Sequence, residues 1–164
     1  MTTVGERLPE LRRTITLPDM IAYAGATWDW HRLHYDPDYL AGRGLTRPVV
    51  DGQLFGALLA ELVRGWAGPG ATLTRLHLRF ANLVFAGETV VATGEVIEVD
   101  GDTVILALKV TVADDGRVAV HPAGATVVFA SAGVASADAL AGREPAASRG
   151  VPSSANAAGV ETAR

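Results

Sequence analysis

Residues 52–66 read Gly-Gln-Leu-Phe-Gly-Ala-Leu-Leu-Ala-Glu-Leu-Val-Arg-Gly-Trp, the longest apolar stretch at helical spacing in the chain. Leu54, Leu58 and Leu62 form one line along such a helix, and Phe55, Leu59, Val63 and Trp66 form a second beside it. Only Gln53, Glu61 and Arg64 are clearly polar. An apolar surface that wide predicts a helix over Gln53–Trp66 enclosed on most sides. The run Ala67-Gly68-Pro69-Gly70 ends it abruptly. Such a helix needs a broad apolar wall, and the flanking sequence has to supply one.

The wall follows directly. From Thr72 the apolar period changes to two. Leu76, Leu78 and Phe80 alternate with Arg75, His77 and Arg79; Val104, Leu106, Leu108, Val110 and Val112 alternate with Thr103, Ile105, Ala107, Lys109 and Thr111. Both patterns are those of half-buried strands. Thr89–Val99 reads as another strand, and the change of parity between Val96 and Ile97 predicts a bulge. Asp100-Gly101 and Asp115-Gly116 suit hairpin turns, and Arg117–Ala130 reads as a last strand interrupted at Pro122.

Upstream of the helix, Leu11–Leu17 has the β-branched residues of a short strand, and Pro18 and Asp19 open a helix reaching Ala26. Trp28–Tyr35 reads as a loop. Asp36 as cap and Pro37 at the first position start a short helix, Pro37–Ala41, which Gly42 and Gly44 stop. The expected fold class is therefore α+β: an antiparallel meander of about four strands wrapped around one long apolar helix. Such a sheet leaves an edge suited to dimerisation.

The chain has 164 residues, enough for one domain with a real core. That domain is expected over residues 1–131. Residues 132–164 are rich in Ala, Ser, Gly and Pro, with no aromatic residue or sustained periodicity, and read as a low-complexity, disordered tail. No apolar run approaches the roughly 18 residues of a membrane span. The first seven residues lack an apolar core, so no secretory leader is expected. Cysteine is absent, which removes disulfide and thiolate chemistry and fits the cytoplasm. A net charge of −4 argues against non-specific nucleic-acid binding.

Polar chemistry concentrates just before the long helix. Residues 27–39 read Thr-Trp-Asp-Trp-His-Arg-Leu-His-Tyr-Asp-Pro-Asp-Tyr, and residues 47–52 read Arg-Pro-Val-Val-Asp-Gly. Asp29 and His34, five apart, would point about 140° from each other on a regular helix. Only a bend brings their heads together. Gly52 stands at the helix start, where N–H groups lack partners and the dipole favours negative charge. Its missing Cβ allows close approach. Asp51 suits the N-cap. Trp30, His31, Asp51 and Phe55 are candidate pocket residues around these groups. His31 and His34 raise a metal reading, but no third ligand follows at a usual spacing, so no metal and no other cofactor is expected.

The run Asp29-Trp30-His31-Arg32-Leu33-His34-Tyr35-Asp36-Pro37, followed by Arg47-Pro48-Val49-Val50-Asp51-Gly52 and an apolar helix, resembles the MaoC-like (R)-specific enoyl-CoA hydratase family. The motif of that family runs approximately Gly-Asp-x-Asn-Pro-Ile-His-x-Asp, then Pro-Ile-Ala-His-Gly-Met before the central helix. The resemblance covers roughly residues 5–130. It implies a hotdog fold and a hydro-lyase acting on a CoA or acyl-carrier thioester. It implies Asp29 and His34 as the catalytic pair, and the Gly52 N–H as donor to the thioester oxygen. It also implies a homodimer, or a heteromer with a related hotdog subunit, with no membrane or nucleic-acid partner. The chain departs from the pattern at four places. His31 and Arg32 replace Asn-Pro, Asp51 replaces the His before the glycine, Ala60 stands where some members carry Ser, and Thr27-Trp28 precede the Asp.

Those residue types suit hydration. Water adding to a 2-enoyl thioester must lose a proton as it attacks C3, and C2 must gain one as charge builds on the thioester oxygen. A carboxylate and an imidazole can manage both protons near neutral pH. One preorganised N–H at the oxygen is worth on the order of 3 kcal/mol in the transition state. Arg47 and Arg79 are candidates to meet carrier phosphates. Two other functions compete. A hotdog thioesterase would need a carboxylate on the central helix, for which Glu61 is the candidate. A non-catalytic subunit supporting a related partner is the other, and the retained Asp29 and His34 argue against it.

Overall fold

The structure, a computed structural model, describes residues 2–130. The expected domain end at 131 and the tail 132–164 lie outside the described residues. In chain order the elements are β1 (Leu11–Thr14), α1 (Leu17–Thr27), a 3-10 turn (Arg32–His34), α2 (Pro37–Ala41), α3 (Gly52–Ala67), β2 (Ala71–Phe80), β3 (Thr89–Asp100), β4 (Thr103–Val112) and β5 (Val118–Phe129).

α3 is one residue longer at each end than the apolar pattern predicts. Leu54, Phe55, Leu58, Leu59, Leu62 and Val63 are all buried, so both apolar lines find a wall. That wall is the inner face of one five-stranded antiparallel sheet, with Val90, Ala92 and Val96 from β3, Val104, Leu106, Leu108 and Val110 from β4, and Val120 and Val127 from β5 in the same core. The helix packs against β2, β3 and β5, so the sheet bends round it. No helix among the described residues is long and apolar enough to cross a membrane.

The strand order is β1-β3-β4-β5-β2. β3, β4 and β5 form the expected meander, but β2 does not begin it: β2 pairs with β5, at the far edge. A sheet wrapping a helix needs strands on both flanks. β2, leaving the end of α3, takes one flank while the β3–β5 meander closes round to meet it. The bulge in β3 lies where parity changes, between Val96 and Glu98. At Pro122 the β4–β5 ladder slips: Leu108 pairs with Ala123, yet Val110 pairs with Val120. Proline has no N–H for the ladder, and the strand absorbs it as an irregularity.

Two local readings are corrected. The first strand stops at Thr14 rather than Leu17, and α1 begins at Leu17. Thr16 and Asp19 form a reciprocal capping box, with the Thr16 N–H donating to Asp19 Oδ2 at 2.9 Å and the Asp19 N–H to Thr16 Oγ1 at 3.3 Å. The two donors at the helix start are thereby satisfied, and the helix begins one residue earlier than Pro18 alone suggests. Phe80, expected on the inner face with Leu76 and Leu78, is 56% exposed because the register slips between Leu78 and Phe80.

Candidate active site

The bend that the sequence requires between Asp29 and His34 is built from short-range hydrogen bonds. α1 ends because Trp28 turns left-handed, at φ 61°. Asp29 Oδ1 then accepts from the His31 N–H at 3.2 Å. His31 Nδ1 accepts in turn from the Leu33 N–H at 3.1 Å and caps the 3-10 turn that carries His34. Arg32 pairs with Asp36 at 2.7 Å across that turn, and the Tyr35 hydroxyl donates to the Trp30 carbonyl at 3.1 Å. Asp36 also accepts from the Asp38 and Tyr39 N–H groups at 3.0 Å and so caps α2, as its sequence predicts.

The segment before α3 locks this bend in place. The Val49 N–H donates to the Leu33 carbonyl at 3.1 Å, and the Val49 carbonyl lies 2.6 Å from His34 Nδ1. On its other side the segment is tied to the β2–β3 connection, through Val50 N–H to Val84 O at 2.8 Å and Ala86 N–H to Pro48 O at 2.9 Å. A carbonyl only accepts, so Nδ1 carries a proton and His34 is left with Nε2 to offer. Two residues further on, Asp51 Oδ1 accepts from the Gln53 N–H at 2.8 Å and caps α3. The first amide of the helix, Gly52, has no acceptor within it.

These ties bring three groups together. One ligand-capable atom each of Asp29, His34 and Asp51 lies within 4.8 Å of the others. All three residues are half-buried. Asp51, a candidate pocket residue from the sequence, is thus the third group beside the Asp–His pair. Three such groups this close are also an arrangement a divalent cation could use. Tyr23 of α1 belongs to the same neighbourhood. Burial, then the charges of Asp51 and Asp29, push its hydroxyl above the ordinary tyrosine value, so it remains a neutral donor. Nothing in the local pattern around Tyr23 shows that it lies near two carboxylates from elsewhere in the chain.

The other candidates are distributed differently. Trp30 is 42% exposed and packs edge-on to Trp28 and Tyr35. His31 is exposed, with its ring edge-on to His34 at 5.9 Å. Phe55 is buried in the core cluster. Gly52 lies under the ring of Phe80, whose outer atoms come within 2.7–2.9 Å of where a Cβ would be. Arg47 is engaged by Glu88 at 2.9 Å, alongside Arg117 at 2.6 Å. Arg79 is exposed on β2. Glu61 is paired with Arg13 at 2.8 Å. That pair bounds a cavity of about 280 Å³ between α1 and α3, lined also by Tyr23, Leu54 and Leu58. A larger cavity of about 420 Å³, on another part of the sheet, is lined by none of the site residues.

The chain is similar to several known proteins. The family described as MaoC like domain matches residues 2–116. The chain is 33% identical over 100 residues to the 3-oxo-4,17-pregnadiene-20-carboxyl-CoA hydratase beta subunit of Mycobacterium tuberculosis, covering 61% of this chain and 78% of that one. It is 29% identical over 114 residues to the (R)-specific enoyl-CoA hydratase of Aeromonas caviae, covering 69% and 84%. Among solved structures, the ChsH1-ChsH2 complex from Mycobacterium tuberculosis superposes with TM-score 0.72 at 27% identity, covering 79% of this chain and 99% of that one. The (R)-hydratase from A. caviae superposes with TM-score 0.72 at 27% identity, covering 78% and 97%.

Proposed function

The chain belongs to the MaoC-like family, and from that premise we propose that it is a hydro-lyase that reversibly hydrates a 2-enoyl thioester carried on CoA or an acyl carrier. The observation that carries this reading is the meeting of Asp29 and His34 beside the start of α3, where sequence alone leaves them five residues apart on a loop. Asp29 takes a proton from the attacking water. Nε2 of His34, directed by the bond from Nδ1 to Val49, handles the proton at C2. The Gly52 N–H, at the positive end of a 16-residue helix, meets the thioester oxygen as charge develops there. The same groups run the dehydration of a 3-hydroxyacyl thioester. Relatives of this chain are named as a CoA hydratase subunit and an enoyl-CoA hydratase, which supports the thioester class.

The test is turnover of 2-enoyl-CoA substrates, straight-chain and bulky, followed by loss of enoyl absorbance. Asp29→Asn and His34→Ala are each expected to lower kcat at least about a hundredfold with the fold intact. Near-wild-type rates in both would remove these assignments. Hydrolysis without hydration would point instead to a thioesterase.

A second reading has its own support. One relative is named a beta subunit, and one similar structure is a complex of two chains. In that reading the chain works beside a related hotdog subunit. A chain inert alone but active with such a subunit would favour it.

A further inference from the structure

Asp51 faces two ways. Its Oδ1 accepts from the Gln53 N–H at 2.8 Å and caps α3. Its Oδ2 keeps less than 1 Å² of exposed surface and has no hydrogen-bond partner among the described residues. A buried carboxylate oxygen without a donor is costly, and it calls for a partner that the described residues do not supply. With Oδ1 committed to the cap, Oδ2 is the Asp51 oxygen with capacity left, on a residue that lies beside Asp29 and His34.

Counting donors and acceptors identifies what fits. His34 Nδ1 is held by the Val49 carbonyl, so the ring meets the cluster through Nε2. A water has two hydrogens and two lone pairs. Two carboxylates can accept both hydrogens. An Nε2–H of His34 can donate to one lone pair, and the other is left for carbon. With Asp29 as the sole carboxylate, one hydrogen has no acceptor and the water can turn.

We propose that Asp51 is a third catalytic residue, whose Oδ2 holds the hydrogen of the attacking water that is not transferred and so aims its free lone pair at C3. This rests on the hydratase reading. In the step, the C3–O bond forms as the O–H bond directed at Asp29 breaks, and that proton goes to Asp29. The π pair of C2=C3 shifts toward the thioester oxygen and then forms the C2–H bond with the Nε2 proton of His34. The product hydroxyl keeps the hydrogen that Asp51 held. Transfer of one proton from Asp29 to His34 restores the site, with no net proton gained or lost. The same carboxylate fixes the first turn of α3, so the water and the Gly52 amide are positioned by one side chain.

Separating the cap from the chemistry tests this. Asp51→Ser keeps a good N-cap but has no Oδ2, and Asp51→Asn keeps the cap oxygen while turning an NH2 group toward the pair. Both variants are expected to melt within about 3 °C of wild type. Their kcat on an enoyl-CoA that the wild type hydrates is expected to fall about 30- to 1,000-fold, with KM changed less than about threefold. Wild-type kcat in both variants would overturn the proposal and leave Asp51 a helix cap. Wild-type activity that is abolished by a chelator and restored by Mg2+ or Mn2+ would overturn it too, by putting a cation where the water is placed. If wild-type protein hydrates no enoyl thioester, the hydratase reading itself fails, a result distinct from active wild type with an unaffected Asp51→Ser.

Discussion

Gly52 lies beneath Phe80, and this contact separates two reasons for a glycine at the start of α3. A Cβ there would meet Phe80 Cζ, Cε1 and Cε2 at 2.7–2.9 Å. Those atoms are the outer end of a side chain that is 56% exposed, so the ring can swing aside. Gly52→Ala is therefore expected to change unfolding free energy by less than about 1 kcal/mol. Its methyl would still crowd the approach of a thioester to the amide, and kcat/KM is expected to drop about tenfold or more. A large fall in denaturation midpoint with unchanged kcat would mean that the glycine serves packing against Phe80 alone. Trp28 tells a related story. The left-handed turn at φ 61° that ends α1 is a conformation glycine adopts freely, and here an 80% exposed Trp holds it.

At the scale of elements, two helix caps of similar chemistry serve different ends. Thr16 starts α1 through a capping box remote in sequence from the bend. Asp36 starts α2 and also grips Arg32, so the 3-10 turn carrying His34 is clasped at both ends. The Tyr39 N–H first, then the Arg32 guanidinium, hold the Asp36 carboxyl below its ordinary range. Thr16→Ala is expected to cost about 1 kcal/mol in urea unfolding and leave kcat alone. Asp36→Ala is expected to lower kcat about tenfold as well, because a small displacement of a catalytic group is expensive. Equal kcat in the two variants would show that the turn holds His34 without its clasp.

For the whole molecule, two features invite measurement. Glu88 joins the β2–β3 connection to the loop before α3 and to the β4–β5 turn, accepting from Phe85 N–H, Arg117 and Arg47. Burial alone would raise its pKa, but those three donors outweigh it and bring the carboxyl below the ordinary 4.5. A lowered folded value means that its contribution to stability is complete above about pH 4.5 and is lost as pH falls through that lower value. Glu88→Gln is expected to be less stable than wild type at pH 7, and to lose less as pH drops from 5 toward 3 in urea midpoints. Parallel pH curves for the two proteins would contradict that. The second feature is β2. Ten residues long, it pairs only with β5 among the described residues and presents its other side as a sheet edge, with Phe80 exposed at its end. An edge of that length is expected to be covered by a second chain, and a monomer mass in light scattering at micromolar concentration would refute this.

The long helix, the β4 limits, the β3 bulge and both aspartate-capped helix starts were legible in the sequence, because each depends on residues within a few positions of one another. Period, cap chemistry and turn residues are local quantities. The pairing of β2 with β5, the outward turn of Phe80, and the place of Tyr23 beside the Asp29, His34 and Asp51 cluster were not legible. They depend on contacts between segments far apart in the chain, such as the bond from His34 to Val49 fifteen residues on and the tie from Val50 to Val84. The sequence by itself determined which segments are helix and strand and which side chains carry reactive groups. Tertiary structure alone decided which of those groups meet, because long-range closure of the chain, and not any local preference, sets the distance between them.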